Sequence, residues 1–94
     1  MMTTIEIAAT EAARAYSLQL RTVPDSDDED GSEWDRATNA CRKRLLTALA
    51  ALSDEQASRV ILANPGVEPD GETAFMLVEM NDVQGWRKRT AEGR

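Results

Sequence analysis

Carboxylates and guanidinium groups are the side chains that could carry chemistry in this chain of 94 residues. Histidine is absent and cysteine occurs once, at Cys41. These counts exclude catalytic pairs built on histidine, zinc sites that need imidazole or several thiolates, and an internal disulfide. Tyr16, Ser17 and the two lysines form no recognisable pair of nucleophile and base. The sequence therefore predicts a binding protein and not an enzyme, with no catalytic residues.

A dense acidic segment is the most distinctive feature of the chain. Residues 25–35 contain seven of the 17 acids and no basic residue: Asp25, Asp27, Asp28, Glu29, Asp30, Glu33 and Asp35. Part of this segment follows the pattern of a calcium-binding loop, but Ser26 and Ala37 occupy the positions of its first and last ligands. We therefore expect no specific metal site and no cofactor, only screening of the segment by dissolved cations.

Closely spaced carboxylates beside an aromatic residue suggest a function in binding. Like the phosphates of a nucleic acid, they present regular negative charge to a basic groove, and such binding weakens with salt. The predicted partner-binding residues are Asp25, Asp27, Asp28, Glu29, Asp30, Glu33, Trp34 and Asp35. A solubilising loop is the alternative interpretation. In size and acidity the chain is similar to small inhibitors encoded by phages and mobile elements, including anti-CRISPR proteins, which is a likeness of composition.

Basic residues form two clusters after the acidic segment, Arg42-Lys43-Arg44 and Trp86-Arg87-Lys88-Arg89. The solvent-exposed face of an amphipathic helix accounts for the first cluster, and a solvated helix end accounts for the second. Alternatively, these residues contact acidic loops of a neighbouring copy. The candidates for such contacts are Arg42, Arg44, Trp86, Arg87 and Arg89. Trp86 and the bases after it also suit weak binding of single-stranded nucleic acid, which the net charge of −6 disfavours.

Residues 44–56, RLLTALAALSDEQ, joined to Arg59-Val60-Ile61, resemble the helix pair that opens sigma-factor-like helix-turn-helix domains. The resemblance covers about 18 residues and implies that a turn and a basic recognition helix follow. Residues 64–71, NPGVEPDG, stand there instead and are acidic and rich in helix breakers. Because a major-groove reader needs basic side chains on that element, we do not expect sequence-specific DNA binding.

Four predicted segments must position the charged and aromatic side chains named above. Two of these segments begin with the residue spacing of a capping box. Thr3 with Glu6 predicts a helix over residues 4–22, and Ser53 with Gln56 predicts one over 54–63. A short strand over residues 3–7 is the alternative for the first start. The apolar faces are expected to be Ile5, Ala9, Ala12, Tyr16 and Leu20 in the first helix, and Ala57, Val60 and Ile61 in the other.

In the remaining two segments, the apolar pattern predicts one element clearly and leaves the other ambiguous. Ser32 as N-cap predicts a central helix over residues 33–52. Its apolar stripe is Trp34, Ala37, Cys41, Leu45, Ala48, Leu49 and Leu52, which should bury the Cys41 thiol. The last apolar run, residues 75–80, fits a helix or a strand. We favour a helix over 72–88, and a hairpin between 59–63 and 74–80 is the alternative.

The predicted fold class is all-α, a small bundle of three to four helices, with an α+β fold carrying a C-terminal hairpin as the alternative. Residues 1–94 would form a single helical domain with acidic loops at 24–32 and 64–71 and a basic tail at 86–94. Leu, Ile, Val and Phe make up only 17 of 94 residues, so the core should be thin and a homo-oligomer is expected. The N-terminus lacks the pattern of a signal peptide and no run is long enough for a membrane span, so we expect a cytoplasmic protein without membrane contact.

The predicted function is a small protein-binding module that presents an acidic surface to a basic partner that handles nucleic acids. The alternative function is a structural helical homo-oligomer or adaptor whose acidic loop aids solubility. Direct binding of nucleic acid is not expected in either case.

Overall fold

The computed structural model describes residues 3–22, 31–68 and 71–92. Within these ranges the chain forms four helices and one short antiparallel hairpin. In chain order the elements are α1 (Thr4–Leu20), α2 (Ser32–Ala50), α3 (Asp54–Ala63), β1 (Gly66–Val67), β2 (Ala74–Phe75) and α4 (Met80–Glu92). The predicted small helical bundle is confirmed, and the hairpin accompanies it.

Both predicted capping boxes are present. Thr3 Oγ1 accepts a hydrogen bond of 3.2 Å from the Glu6 backbone N–H, and Glu6 Oε1 accepts one of 3.2 Å from the Thr3 N–H. Ser53 and Gln56 repeat this exchange at 3.2 and 3.1 Å. Because these bonds satisfy N–H groups that a helix start leaves open, they determine where α1 and α3 begin. Both predicted helices are confirmed within two residues, and the strand alternative for residues 3–7 is wrong.

The start of α2 differs from its prediction. Gly31, not Ser32, is the N-cap, with a φ of 74° in the left-handed region that glycine adopts at little cost. Its carbonyl accepts a 2.9 Å hydrogen bond from the Asp35 N–H, and Ser32 is the first helical residue. The predicted apolar stripe is confirmed only in part, because Ala37 is exposed and Cys41 is half-buried. The buried residues of α2 are Leu45, Leu46 and Leu49.

The prediction of a continuous helix over residues 72–88 is wrong in its first half. Residues 74–75 pair with residues 66–67 instead, in a register that places Phe75 opposite Gly66. The Phe75 ring occupies the space above Gly66, where a Cβ atom would lie only 2.6 Å from Phe75 Cε2. The alternative hairpin was right in kind but not in its first strand, because residues 59–63 complete α3.

A cap explains where α4 begins. Asp82 Oδ2 accepts a 3.0 Å hydrogen bond from the Glu79 backbone N–H, and the Glu79 carbonyl accepts from the N–H groups of Asp82 and Val83. The helix therefore starts at Met80 and continues through residues that the sequence assigned to a basic tail.

The core is thin, as the composition predicts. The small residues Ala9, Ala12 and Ala13 of α1 are buried in the core together with Tyr16. The core side chains of the remaining elements are Leu45, Leu46, Leu49, Leu52, Ala57, Val60, Ile61, Leu77, Val78 and Val83. Ile5, which the helical pattern placed on the buried face of α1, is 45% exposed.

Candidate functional site

The structure describes only one end of the acidic segment. Asp25, Asp27, Asp28, Glu29 and Asp30 lie outside the described residues. Glu33, Trp34 and Asp35 form the first turn of α2, where the two carboxylates are exposed and the indole is half-buried. Acidic groups in this turn interact favourably with the positive end of the helix dipole.

Hydrogen bonds join Thr22, which precedes the acidic segment, to Trp34 near its C-terminal end. Trp34 Nε1 donates to Thr22 Oγ1 at 2.9 Å, and the Thr22 hydroxyl donates to the Gln19 carbonyl at 2.6 Å. One turn further along α2, Gln19 Nε2 donates to Thr38 Oγ1 at 3.3 Å. The C-terminal end of α1 therefore meets the N-terminal end of α2.

Three of the residues predicted for contacts between copies, Arg42, Trp86 and Arg89, have partners within the chain. Arg42 Nη2 lies 3.7 Å from Asp82 Oδ1, which joins α2 to α4. Trp86 Nε1 donates to Thr47 Oγ1 at 3.3 Å, and the Arg89 guanidinium carbon lies 5.8 Å from the centre of the Trp86 ring. Arg44, in contrast, is exposed on α2.

Arg87 connects α4 to the turn between α2 and α3. Its Nε donates to the Ala50 carbonyl at 3.2 Å, its Nη2 donates to the Leu52 carbonyl at 2.6 Å, and its Nη1 pairs with Asp54 Oδ1. The guanidinium thus binds carbonyls that the end of α2 leaves open. This position differs from the solvated helix end that the sequence suggests.

A cationic groove runs between α1 and α3, which the sequence analysis missed. It consists of two adjoining hollows of about 370 and 340 Å³ that share Arg14, Ala63 and Asn64. Arg21 lies at one end, and Arg59 lies near the other end beside Glu6. We name this feature the α1–α3 groove. The spacing of Arg14 and Arg21 by seven residues is a signal that the sequence offers, because it places both on one side of α1.

Glu6 lies at the far end of this groove and already has several partners. Its Oε1 accepts hydrogen bonds from the Thr3 N–H at 3.2 Å and from Gln56 Nε2 at 3.3 Å. The pKa of Glu6 is lowered, first by the hydrogen bond with the Thr3 backbone and also by the nearby positive charge of Arg59. The carboxylate therefore stays ionised and connects the starts of α1 and α3.

Tyr16 lies at the opposite side of α1, against α2 and α4. Burial raises the pKa of its phenol, and the positive charge of Arg42 partly offsets that effect. Cys41 is close enough to influence the same phenol and packs against the core as a half-buried thiol. Its expected full burial is therefore only partly realised.

Within residues 3–22, 31–68 and 71–92, no group of three or more acidic, cysteine or histidine side chains is placed to hold a metal ion. Over those same ranges, no helix combines the length and apolar character needed to cross a membrane.

The chain matches no protein-family model, and comparisons with curated proteins and with solved structures likewise give no match.

Proposed function

We propose that this domain is a protein-binding module that presents the acidic segment, residues 25–35, to a basic surface of a partner protein. The observation that carries the proposal is the 2.9 Å hydrogen bond between Trp34 Nε1 and Thr22 Oγ1. Six of the chain's 17 acids lie between these two residues in the sequence. The bond therefore supports a role in which many carboxylates are gathered at one end of the α1–α2 pair.

The charge distribution supports the same function. Glu33 and Asp35 are exposed in the first turn of α2, directly after the other five acids in sequence. A surface of this kind attracts a basic groove and occupies the positions that phosphates of a nucleic acid would take. The partner is accordingly a protein that handles nucleic acids, and the module blocks or tethers it.

Small inhibitors encoded by phages and mobile elements, such as anti-CRISPR proteins, are the class with which this chain shares size and acidity. We include that class in the proposal as a likeness of composition. The proposal also places the interaction in the cytoplasm, in keeping with a single cysteine and no disulfide framework.

The test compares three forms of the full-length chain as bait in a native lysate. The first is the unaltered chain, and the second carries D27N, D28N, E29Q and D30N. The third is a matched control with the same change in charge, in which the exposed residues Glu11, Glu55, Glu68 and Glu79 are replaced by Gln. Proteins eluted as the salt is raised are identified by mass spectrometry, and binding of the purified candidate to a DNA duplex is then measured with each bait.

We expect the unaltered chain and the control to retain a nucleic-acid-binding protein that the D27N/D28N/E29Q/D30N variant loses. The unaltered chain should also displace the DNA duplex from that protein, with an affinity that falls as salt rises. Equal capture by all three baits would overturn the proposal, and so would binding that leaves the DNA duplex in place.

A further inference from the structure

The α1–α3 groove gathers positive charge on a chain whose net charge is −6. Arg14, Arg21 and Arg59 contribute to its walls and are exposed. Within the described part of the chain, no carboxylate oxygen lies within 4.0 Å of the side-chain nitrogens of these arginines. Glu6 is the one acid among the described lining residues, and its Oε1 already accepts two hydrogen bonds. The groove therefore has an excess of positive charge available to a ligand.

The shape of the groove suits an acidic polypeptide segment. Arg14 and Arg21 are two turns apart on α1, a separation of roughly 10 Å. In an extended peptide, side chains on one face lie roughly 7 Å apart at two residues and roughly 14 Å apart at four, so their spacings bracket the separation of the two arginines. Leu18 lies between these arginines along α1, lines the groove and is 66% exposed. An acidic segment with an apolar residue nearby would therefore neutralise the arginines and cover the exposed leucine side chain.

We infer that the α1–α3 groove binds the acidic segment, residues 25–35, of a second copy of this chain. The charges are complementary, because residues 25–35 contain seven acids and no base while the groove offers three arginines. Such a contact pairs two different surfaces of the same chain and so builds head-to-tail rings or filaments. The inference concerns the segment that we assign to a partner, but it does not depend on that partner.

The position of the groove on α1 explains why the occupant comes from another copy. Gln19 bonds to Thr38 of α2, whereas Arg21 lines the groove. Two residues apart on a helix, at 100° per residue, these side chains project from nearly opposite sides of α1. Trp34, at the far end of the segment, is held on the α2 side through Thr22. Thr22 and Trp34, the described residues nearest to the two ends of the segment, are thus joined on the α2 side of α1, which favours an occupant from another copy.

The test measures self-association by sedimentation velocity across the micromolar to millimolar range. The buffer contains about 0.1 M NaCl, where charges are screened over roughly 10 Å, so that local contacts outweigh the net repulsion between copies. We expect the average mass of the unaltered chain to rise with concentration above the monomer's 10.4 kDa. In about 1 M NaCl, where screening acts over about 3 Å, the protein should be monomeric.

Two charge-reversal variants locate the contact. R14E/R59E alters the groove, while R36E/K43E makes the same change in net charge on the exposed face of α2. We expect R14E/R59E to weaken self-association at least about tenfold and R36E/K43E to retain it. Circular dichroism of both variants should match that of the unaltered chain, because all four side chains are exposed.

Mixing two defective copies gives the decisive result. R14E/R59E has an altered groove but an intact acidic segment, and D27N/D28N/E29Q/D30N has the reverse. Each alone should be monomeric, and their mixture should form a complex of one copy of each. A chain that stays monomeric at all concentrations overturns the inference, as would occur if the segment binds its own groove. Self-association that R14E/R59E leaves unchanged overturns it too. Neither result affects capture of a basic partner.

Discussion

Gln56 Nε2 donates a hydrogen bond of 3.3 Å to Glu6 Oε1, which joins the capping boxes of α1 and α3 across 50 residues of chain. Glu6 caps the start of α1 through the Thr3 N–H, and Gln56 caps the start of α3 through the Ser53 N–H. Each side chain thus serves its own helix and also contacts the other. The two helix starts are therefore expected to be coupled, so that weakening one cap also affects the other.

Replacing Glu6 with Gln tests the charge at this junction. The substitution retains an oxygen acceptor for Thr3 and Gln56 but removes the negative charge. Because the folded-state pKa of Glu6 is lowered from 4.5, its ionised form stabilises the fold above that pH, and this contribution is lost as the pH falls through the folded pKa. We expect E6Q to have a lower Tm than the unaltered chain at pH 7 and the same Tm below the folded pKa.

Thermal unfolding followed by circular dichroism from pH 7 to pH 3 measures this difference. Glu11 is exposed on the same helix, so E11Q is the matched control. An E6Q variant with a constant Tm deficit at every pH would show that the carboxylate charge does not stabilise the junction.

Replacing Gly66 with Ala tests the close approach in the hairpin. A Cβ at Gly66 would lie 2.6 Å from Phe75 Cε2, so the ring must leave its position against the core. We expect G66A to lower the free energy of unfolding in urea by about 1–3 kcal/mol. In an F75A background the added cost of G66A should largely disappear, because the obstructing ring is gone.

Gly85 provides the opposite case within α4. A Cβ there would meet no atom within 4 Å, and the residue lies inside a helix. We expect G85A to raise the free energy of unfolding by about 0.5–1 kcal/mol, because Ala restricts the unfolded chain more than Gly. A destabilised G85A would indicate that the exposed face of α4 makes a contact that the monomer lacks.

Arg87 should stabilise the fold more than its basic neighbours do. Its guanidinium donates to the carbonyls of Ala50 and Leu52 and pairs with Asp54. We expect R87A to reduce the free energy of unfolding by about 1.5–3 kcal/mol, since charged hydrogen bonds are lost. R87K should recover little, because a single ammonium cannot reach three acceptors in this geometry. K88A, which removes an exposed charge, should change stability by less than about 0.5 kcal/mol.

Local signals predicted most of the fold. The starts of α1 and α3 follow from Thr3 and Ser53, because a capping box involves only residues three apart. The hairpin was harder to predict because its strands have two residues each and depend on a contact between Gly66 and Phe75. This contact joins residues nine positions apart in the sequence. It depends on where the Phe75 ring lies, which no short sequence pattern specifies.

The candidate site was predictable only where it depends on composition. The acidic segment is visible as seven acids without a base, whereas the α1–α3 groove requires the packing of two helices that are distant in sequence. The intramolecular roles of Arg42 and Arg87 likewise depend on where α4 packs. Their place in a basic cluster suggested surface contacts, because the sequence alone does not show which cations face Asp82 or the end of α2.

The hydrogen bond between Trp34 and Thr22 should affect binding more than stability. Thr22→Val removes the acceptor of the 2.9 Å bond with little change in shape. Because Thr22 is exposed, the free energy of unfolding should fall by less than about 1 kcal/mol. Affinity for a fluorescent poly-arginine peptide, measured by anisotropy, should fall roughly two- to tenfold, since the acidic segment loses an ordering contact worth about 0.5–1.5 kcal/mol. T90V, at an exposed threonine of α4, should bind like the unaltered chain. If T22V also does so while D27N/D28N/E29Q/D30N binds weakly, the segment acts through its charge alone and the junction does not position it.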